Sequence, residues 1–257
     1  MRPIRFCAIV LITAVAGLVA SACWLVPCRR IRDRWLAAAR AAWARGMLRV
    51  FGVRVAAEIL DDGHAGAALC VANHTGYLDI FVLMAVAPAV FISRTEVLRW
   101  PLLGQAVAAA GTLFVDRVNR LSIGRMVAKV RKELCSGRSV AFFPEATSSD
   151  GTGLLPFKTS LFAAAVGEEG ETFPVRPFVL SYRSVGGEPI GDSNRKRVFW
   201  YGDETLIPHV WHLLAEPGID VVIKELPARK MAGSRREFAL DLREEMQREF
   251  QALTSGS

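Results

Sequence analysis

The chain has 257 residues, of which 52% are hydrophobic and 22% charged, with a formal net charge of +7. That length supports one substantial folded core plus an appendage. The positive balance suits a protein working beside an anionic surface such as lipid. Nucleic acid is excluded as a partner class, because no recognisable nucleic-acid module and no alternation of aromatic and basic residues accompanies the charge.

From Phe6 to Cys28 the chain carries no charge. As a helix this stretch extends roughly 35 Å against a hydrocarbon core of about 30 Å, so it is long enough for a membrane. Three readings compete: a cleaved signal peptide, a spanning anchor and a helix lying within one leaflet. Ala20-Ser21-Ala22-Cys23 hints at processing, but the run is longer than a signal core and lacks a polar cleavage region. Arg2 and Arg5 precede it, and the larger cluster Arg29, Arg30, Arg32 and Arg34 follows it. A spanning helix would therefore leave the rest of the chain in the cytoplasm. Asp33 to Val50 then reads as an interfacial amphipathic helix, with Trp35, Ala39, Trp43, Met47 and Val50 on one face and Arg34, Arg45 and Arg49 on the other side. The alternative is that this stripe simply packs on the remainder of the protein.

Beyond residue 52 apolar strands alternate with helices, the pattern of an α/β fold. Strands are expected at Val53–Ile59, Leu69–Ala72, Ala89–Ser93, Thr112–Val115, Ser139–Phe143, Val175–Tyr182, Arg197–Tyr201 and Asp220–Glu225. Helices are expected at Ile80–Val86, Pro101–Ala109, Leu121–Cys135, Thr159–Glu168 and Ile207–Leu214. Gly186 to Asn194 reads as a turn-rich loop. A last helix, Arg235–Gln251, is capped by Ser234 and aligns Phe238, Leu242, Met246 and Phe250 for plain packing. The expected fold is a mixed sheet flanked by helices. The five cysteines Cys7, Cys23, Cys28, Cys70 and Cys135 show no Cys-x-x-Cys spacing and read as reduced and structural.

The chemistry concentrates in Asn73-His74-Thr75-Gly76-Tyr77-Leu78-Asp79, at a strand-to-helix turn. Gly76 permits a bend, and Asp79 in the first helical turn can reach back to one ring nitrogen of His74, leaving the other free to take a proton from a hydroxyl. By itself this pair also fits an ordinary capped turn with a satisfied histidine. Three further segments follow in order: Gly111-Thr112-Leu113-Phe114-Val115-Asp116-Arg117, Phe143-Pro144-Glu145-Ala146-Thr147-Ser148-Ser149-Asp150-Gly151 and Phe173-Pro174-Val175-Arg176-Pro177-Phe178-Val179.

With these four blocks in register, residues 65 to 185 resemble the glycerolipid acyltransferase family, whose best-known members convert lysophosphatidate to phosphatidate. The resemblance implies an O-acyltransferase that moves a fatty acyl group from acyl-CoA or acyl carrier protein to a lysolipid hydroxyl beside the bilayer, with no cofactor and no metal. The positive charge also suits such an anionic thioester donor. It implies a membrane anchor over residues 1–52, by analogy with a pair of N-terminal helices, a catalytic domain over residues 53–257, and a place at the inner membrane facing the cytoplasm. His74 becomes the base and Asp79 its orienting acid. Arg117 becomes the clamp on the acceptor headgroup, since a guanidinium binds phosphate or carboxylate through two parallel hydrogen bonds. Glu145 is matched to a glutamate that helps bind the acceptor, and Gly111 and Thr147 join the substrate-binding set; Lys158 is added to it for its charge alone, with a plain solvated lysine as the alternative. Backbone amides near Phe143 to Thr147 are the expected oxyanion donors.

Two positions depart from the family pattern. Ala146 stands where glycine is common, which restricts the backbone if that position needs a positive φ. Ser148 stands where several lysophosphatidate enzymes carry an arginine, which weakens the case for a phosphate-bearing acceptor. Lysophosphatidate ranks first by a narrow margin, with lyso-ornithine lipid as the alternative, its α-carboxylate held by Arg117. A hydrolase is disfavoured because no Gly-x-Ser-x-Gly elbow occurs. His209-Val210-Trp211-His212 lacks the glutamate and spacing of a zinc-protease helix. The non-enzyme alternative is a silent lipid-binding or scaffold protein that keeps the fold.

Overall fold

The computed structural model describes residues 1–60, 66–116, 120–167 and 170–255, with the backbone alone for Arg120 and Leu121. Helix α1 (Arg2–Cys23) carries most of the apolar run and begins with a proline in its first turn, where a missing N–H is harmless. Helix α2 (Arg29–Phe51) ends where Gly52 turns left-handed at φ 72° and its N–H bonds the carbonyls of Leu48 and Arg49. The chain continues through β1 (Val53–Glu58), β2 (Leu69–Ala72), α3 (Tyr77–Val86), β3 (Ala89–Arg94), α4 (Leu103–Ala109), β4 (Leu113–Val115), α5 (Arg120–Cys135) and β5 (Ser139–Phe142). It finishes with β6 (Val175–Val185), β7 (Glu188–Pro189), α6 (Leu206–Leu213), β8 (Ile219–Glu225) and α7 (Arg235–Ser255).

The strands form one sheet in the order β1-β8-β6-β2-β5-β3-β4, with β7 paired to β6. From β6 through β2, β5 and β3 to β4 the pairings are parallel, whereas β8 runs antiparallel to β6 and parallel to β1. Parallel strands need both faces covered, and all four residues of β2 are buried. One face packs Phe178, Leu180 and Ala141 against Trp43 and Met47 of α2 and Leu78, Val82 and Leu83 of α3. The other packs Val71, Val140 and Phe142 against Val130 and Leu134 of α5 and Leu242 and Met246 of α7. Because β2 and β5 run in the same direction, their C-terminal loops emerge on one edge, the position where open α/β sheets bind ligands.

The expected mixed α/β sheet is present, with local corrections. The face that α2 buries is Leu36, Arg40, Trp43, Met47 and Phe51, while Trp35 is 56% exposed, so the stripe drawn through Trp35 and Trp43 is split. The buried face packs in the same core as one face of the sheet. Thr159–Glu168 is not an α-helix: a 3-10 turn occupies Ser160–Ala165, and the Arg131 guanidinium holds the carbonyls of Ala163 and Val166. Glu168 lies outside the described residues.

Arg197–Tyr201 is not a strand either. Val198 and Phe199 are both buried, which breaks the alternation a strand needs, and the Trp200 N–H bonds Thr75 O at 3.0 Å instead of a strand neighbour. The loop expected from Gly186 to Asn194 contains the short β7 hairpin. Helix α4 starts at Leu103 rather than Pro101. At the C-terminus, Ser234 and Glu237 form a reciprocal capping box, and Phe238, Leu242, Met246 and Phe250 are buried as the spacing predicts.

Candidate active site

The site grows out of the end of β2. Asn73, buried at the exit, pairs its side chain with the backbone of β6, donating to Leu180 O at 2.9 Å and accepting from Leu180 N–H at 2.8 Å. That extends the strand pairing by one residue and fixes where His74 begins. Gly76 is extended, with φ 168°, so it is needed for space rather than for a left-handed bend. A Cβ there would meet the Trp200 backbone N at 3.1 Å.

His74 Nδ1 lies 2.9 Å from Asp79 Oδ2. A carboxylate only accepts, so Nδ1 carries the proton and Nε2 holds the lone pair. The imidazole stacks on Phe143, with centroids 4.1 Å apart at 16°, which restricts rotation about its side-chain bonds. The His74 side chain remains 17% exposed and that of Asp79 only 1%, so the base reaches solvent while its orienting acid does not.

Asp79 is a buried ion with a full set of donors. Besides His74 it accepts from the N–H groups of Thr75 and Gly76, from the Thr75 hydroxyl and from the Tyr182 hydroxyl at 2.8 Å. These bonds offset the loss of hydration that burial imposes on a carboxylate. Asp79 also sits in the first turn of α3, where the helix dipole favours negative charge.

Glu145, in the loop after β5, is 2% exposed and accepts from His74 N–H at 2.7 Å and from Leu155 N–H at 2.8 Å. Its carboxylate therefore ties the base's own backbone to a distant segment. Burial pushes the Glu145 carboxyl up to about 7, against the opposing pull of its two amide bonds. The next residue, Ala146, has φ 63°, so the position does adopt the left-handed conformation that glycine would tolerate without a Cβ penalty.

The remaining expected residues are spread out. Thr147 is exposed in the same loop. Lys158 has an exposed side chain, and its N–H bonds Pro144 O at 2.8 Å, which brings its segment beside the Glu145 loop. Gly111 turns the chain from α4 toward β4 with φ 80°, a backbone role. Arg117 lies outside the described residues. The Ala146 N–H, within the span expected to supply oxyanion donors, bonds Phe143 O at 3.1 Å.

Sequence reasoning missed Tyr182, Phe143 as the stacking partner, and Arg94, whose guanidinium reaches Ala146 O at 3.4 Å. The His209 ring serves the scaffold: Nε2 faces Phe199 O at 3.1 Å, so Nδ1 accepts from the Tyr77 hydroxyl at 2.9 Å. Burial holds this imidazole below the usual histidine range, in keeping with a neutral ring.

The arrangement can take a proton at His74 Nε2 and hold the resulting imidazolium against Asp79, the chemistry of acyl transfer to a hydroxyl. The Acyltransferase family model matches residues 53–181, which include His74, Asp79 and Glu145. A lyso-ornithine lipid O-acyltransferase of Brucella abortus is 34% identical over 219 residues, 82% of this chain and 81% of that protein. A 1-acyl-sn-glycerol-3-phosphate acyltransferase of Neisseria gonorrhoeae is 33% identical over 177 residues, 69% of this chain and 66% of that one. Among solved structures, the 1-acyl-sn-glycerophosphate acyltransferase PlsC of Thermotoga maritima superposes with a TM-score of 0.65 at 20% identity, covering 98% of both chains, and so shares the fold.

Proposed function

The chain belongs to the Acyltransferase family and is a lysolipid acyltransferase, and from that premise we propose that His74 activates the acceptor hydroxyl directly, with no enzyme-bound acyl intermediate. The His74–Asp79 pair at 2.9 Å carries this reading. His74 Nε2 takes the hydroxyl proton as that oxygen attacks the thioester carbonyl. The carbonyl oxygen becomes the oxyanion, the C–S bond breaks as the C=O re-forms, and the imidazolium returns the proton to the leaving thiolate. Asp79 holds the Nδ1–H tautomer throughout and stabilises the charge on the ring. Backbone N–H groups of the 143–147 loop other than that of Ala146 are the proposed oxyanion donors.

Glu145 acts by positioning, through its bond to His74 N–H, rather than through a free oxygen for substrate. Arg117 is the proposed reader of the acceptor headgroup. Ser148 in place of a second cation favours a single-charge acceptor group, and the similarity to the Brucella protein extends over more of the chain than that to the Neisseria protein, so lyso-ornithine lipid, through its α-carboxylate, moves ahead of lysophosphatidate. Lysophosphatidate is the second reading, supported by the similarity to the Neisseria protein. Helix α1, whose length and apolar composition suffice to cross a membrane, supports attachment to a membrane, and the larger arginine cluster after it favours the inner membrane with the site facing the cytoplasm.

The test offers lyso-ornithine lipid and lysophosphatidate in parallel to membranes holding the protein, with labelled acyl-CoA and acyl carrier protein as donors. Faster acylation of lyso-ornithine lipid supports the first reading, and product only from lysophosphatidate reverses the order. His74→Ala should abolish turnover while the protein stays folded. Arg117→Ala should raise KM for the acceptor more than for the donor.

A further inference from the structure

Between the α1–α2 turn and the flank of α5, outside the His74 site, lies an open cavity of about 440 Å³. Arg29 and Arg32 from the start of α2, Lys129 and Lys132 from α5, and Arg138 just before β5 all line it, with Trp24 at the end of α1, Leu113 of β4 and one acid, Glu133 of α5. Arg138 precedes β5 and Phe143 follows it, so about 16 Å of strand separates the cavity from the ring that stacks on His74. None of the proposed catalytic groups lines the cavity.

The charge here is unbalanced in a specific way. Arg138 is spent on Asp33 at 2.8 Å and on Glu133, and Asp33 also faces Arg29 at 3.6 Å. The other cations, Arg32, Lys129 and Lys132, have no acidic partner among the described residues. The buried Nε atoms of Arg32 and Arg138 have no hydrogen-bond partner there either. The cationic wall is held in shape: Arg32 lies 5.0 Å over the Trp24 ring, and Trp24 Nε1 donates to Ala109 O at 2.8 Å. A pocket of this volume with convergent guanidinium and ammonium groups fits a phosphate-bearing group.

The surroundings decide which kind. Next in the chain to the lining residues Trp24 and Arg32 are the exposed apolar side chains Leu25, at 84%, and Ile31, with Trp35 a turn further along α2, and α1 itself exposes Leu11, Val15, Leu18 and Val19. Inorganic phosphate has nothing to place there and a nucleotide only its base, whereas a phospholipid has two acyl chains to lay along both helices. We propose that this cavity binds the phosphate headgroup of an anionic phospholipid whose chains lie along the exposed apolar side of α1 and α2, at a site distinct from the catalytic one. The proposal rests on the membrane attachment inferred above. Its ligand is a component of the surrounding bilayer, and it would fix the rotation of the protein on the membrane surface.

The experiment uses full-length protein purified in a non-ionic detergent, with didecanoyl phosphatidylglycerol and didecanoyl phosphatidylcholine titrated separately and bound lipid counted by native mass spectrometry. The comparison variant is Lys129→Gln/Lys132→Gln, two exposed positions outside the catalytic machinery, whose activity in detergent should match the wild type. Phosphatidylglycerol should bind the wild type in preference to phosphatidylcholine, and the variant should lose about 25-fold in that affinity, about fivefold for each lysine. Equal binding of the two lipids, or equal binding of phosphatidylglycerol to wild type and variant, overturns the proposal. Displacement of the lipid by inorganic phosphate or adenosine bisphosphate at matching concentration reassigns the cavity to a soluble phosphate and also overturns it. Sedimentation with membranes is read separately: protein that pellets without a headgroup preference sinks this proposal alone, and protein that stays in the supernatant sinks the attachment reading with it.

Discussion

Asp79 shows how much of a catalytic residue's work is done by groups that never touch substrate. His74 and Asp79 are legible together because they are five residues apart and flank a helix start, a local relation that chain geometry enforces. Tyr182 was not legible, because its hydroxyl reaches Asp79 from 103 residues away and no sequence pattern in a buried strand distinguishes a functional tyrosine from a packed one. Its ring also packs edge-on against Phe199 at 5.5 Å, a contact that phenylalanine would preserve. Tyr182→Phe therefore removes one hydrogen bond to a buried carboxylate and little else. Such bonds contribute about 1.5–3 kcal/mol, so if the loss is felt mainly in the transition state, kcat falls about ten- to a hundredfold with KM for either substrate little changed. Steady-state kinetics well below the melting temperature would check this; an effect confined to KM would remove Tyr182 from the positioning network. Ala146 teaches the converse. The sequence raised the question of a positive φ at that residue, and only the backbone could answer it.

Among the elements, strands and helices with strong apolar periodicity were legible to within a few residues, since burial on a sheet face or helix stripe imposes that period. The failures occurred where tertiary partners replaced regular pairing. Alanine-rich 159–168 has the composition of a helix, but Arg131 takes two of its carbonyls and leaves a 3-10 turn. In 197–201 the backbone is drawn to Thr75. Arg40 is a third case: on sequence it is one more arginine of an amphipathic helix, yet it is 7% exposed and donates to Ala110 O at 2.7 Å, capping the end of α4 from α2. Burial lowers its guanidinium to about 10, so it is held at some cost for the sake of that bond. Arg40→Met keeps the stem's volume but leaves the carbonyl unpaired. We expect a loss of about 1–3 kcal/mol, read as a lower midpoint in chemical denaturation, with Arg40→Lys intermediate. Unchanged midpoints would mean that α4 closes without help from α2.

At the scale of the whole molecule the two cores and the catalytic edge meet at Glu145. Through it the exit of β2 is bonded to the loop after β5 and to Leu155, and Arg243 of α7 grips the carbonyls of Leu154 and Leu155 from the far face. A carboxyl shared by such distant segments makes global stability depend on its protonation. Its folded value of about 7 lies above the ordinary 4.5, so between those values the folded state binds more protons than the unfolded one. Stability from this group is therefore fully present below about pH 4.5 and is lost as pH rises through 7, by roughly 3 kcal/mol at most. For a chain of this size that is a fall in melting midpoint of about 6–12 °C across the window. Glu145→Gln does not titrate. Its amide oxygen can accept from one of the two N–H groups while its NH2 opposes the other, so the variant should start about 1–3 kcal/mol less stable at pH 5. Its midpoint should then lie flatter with pH, converging on the wild type near pH 7.5. Thermal melts of both proteins in detergent at half-unit steps from pH 4.5 to 8 test this. Parallel curves would show that the pH dependence lies elsewhere, and that Glu145 is already ionised at pH 5, held by its two amide bonds alone.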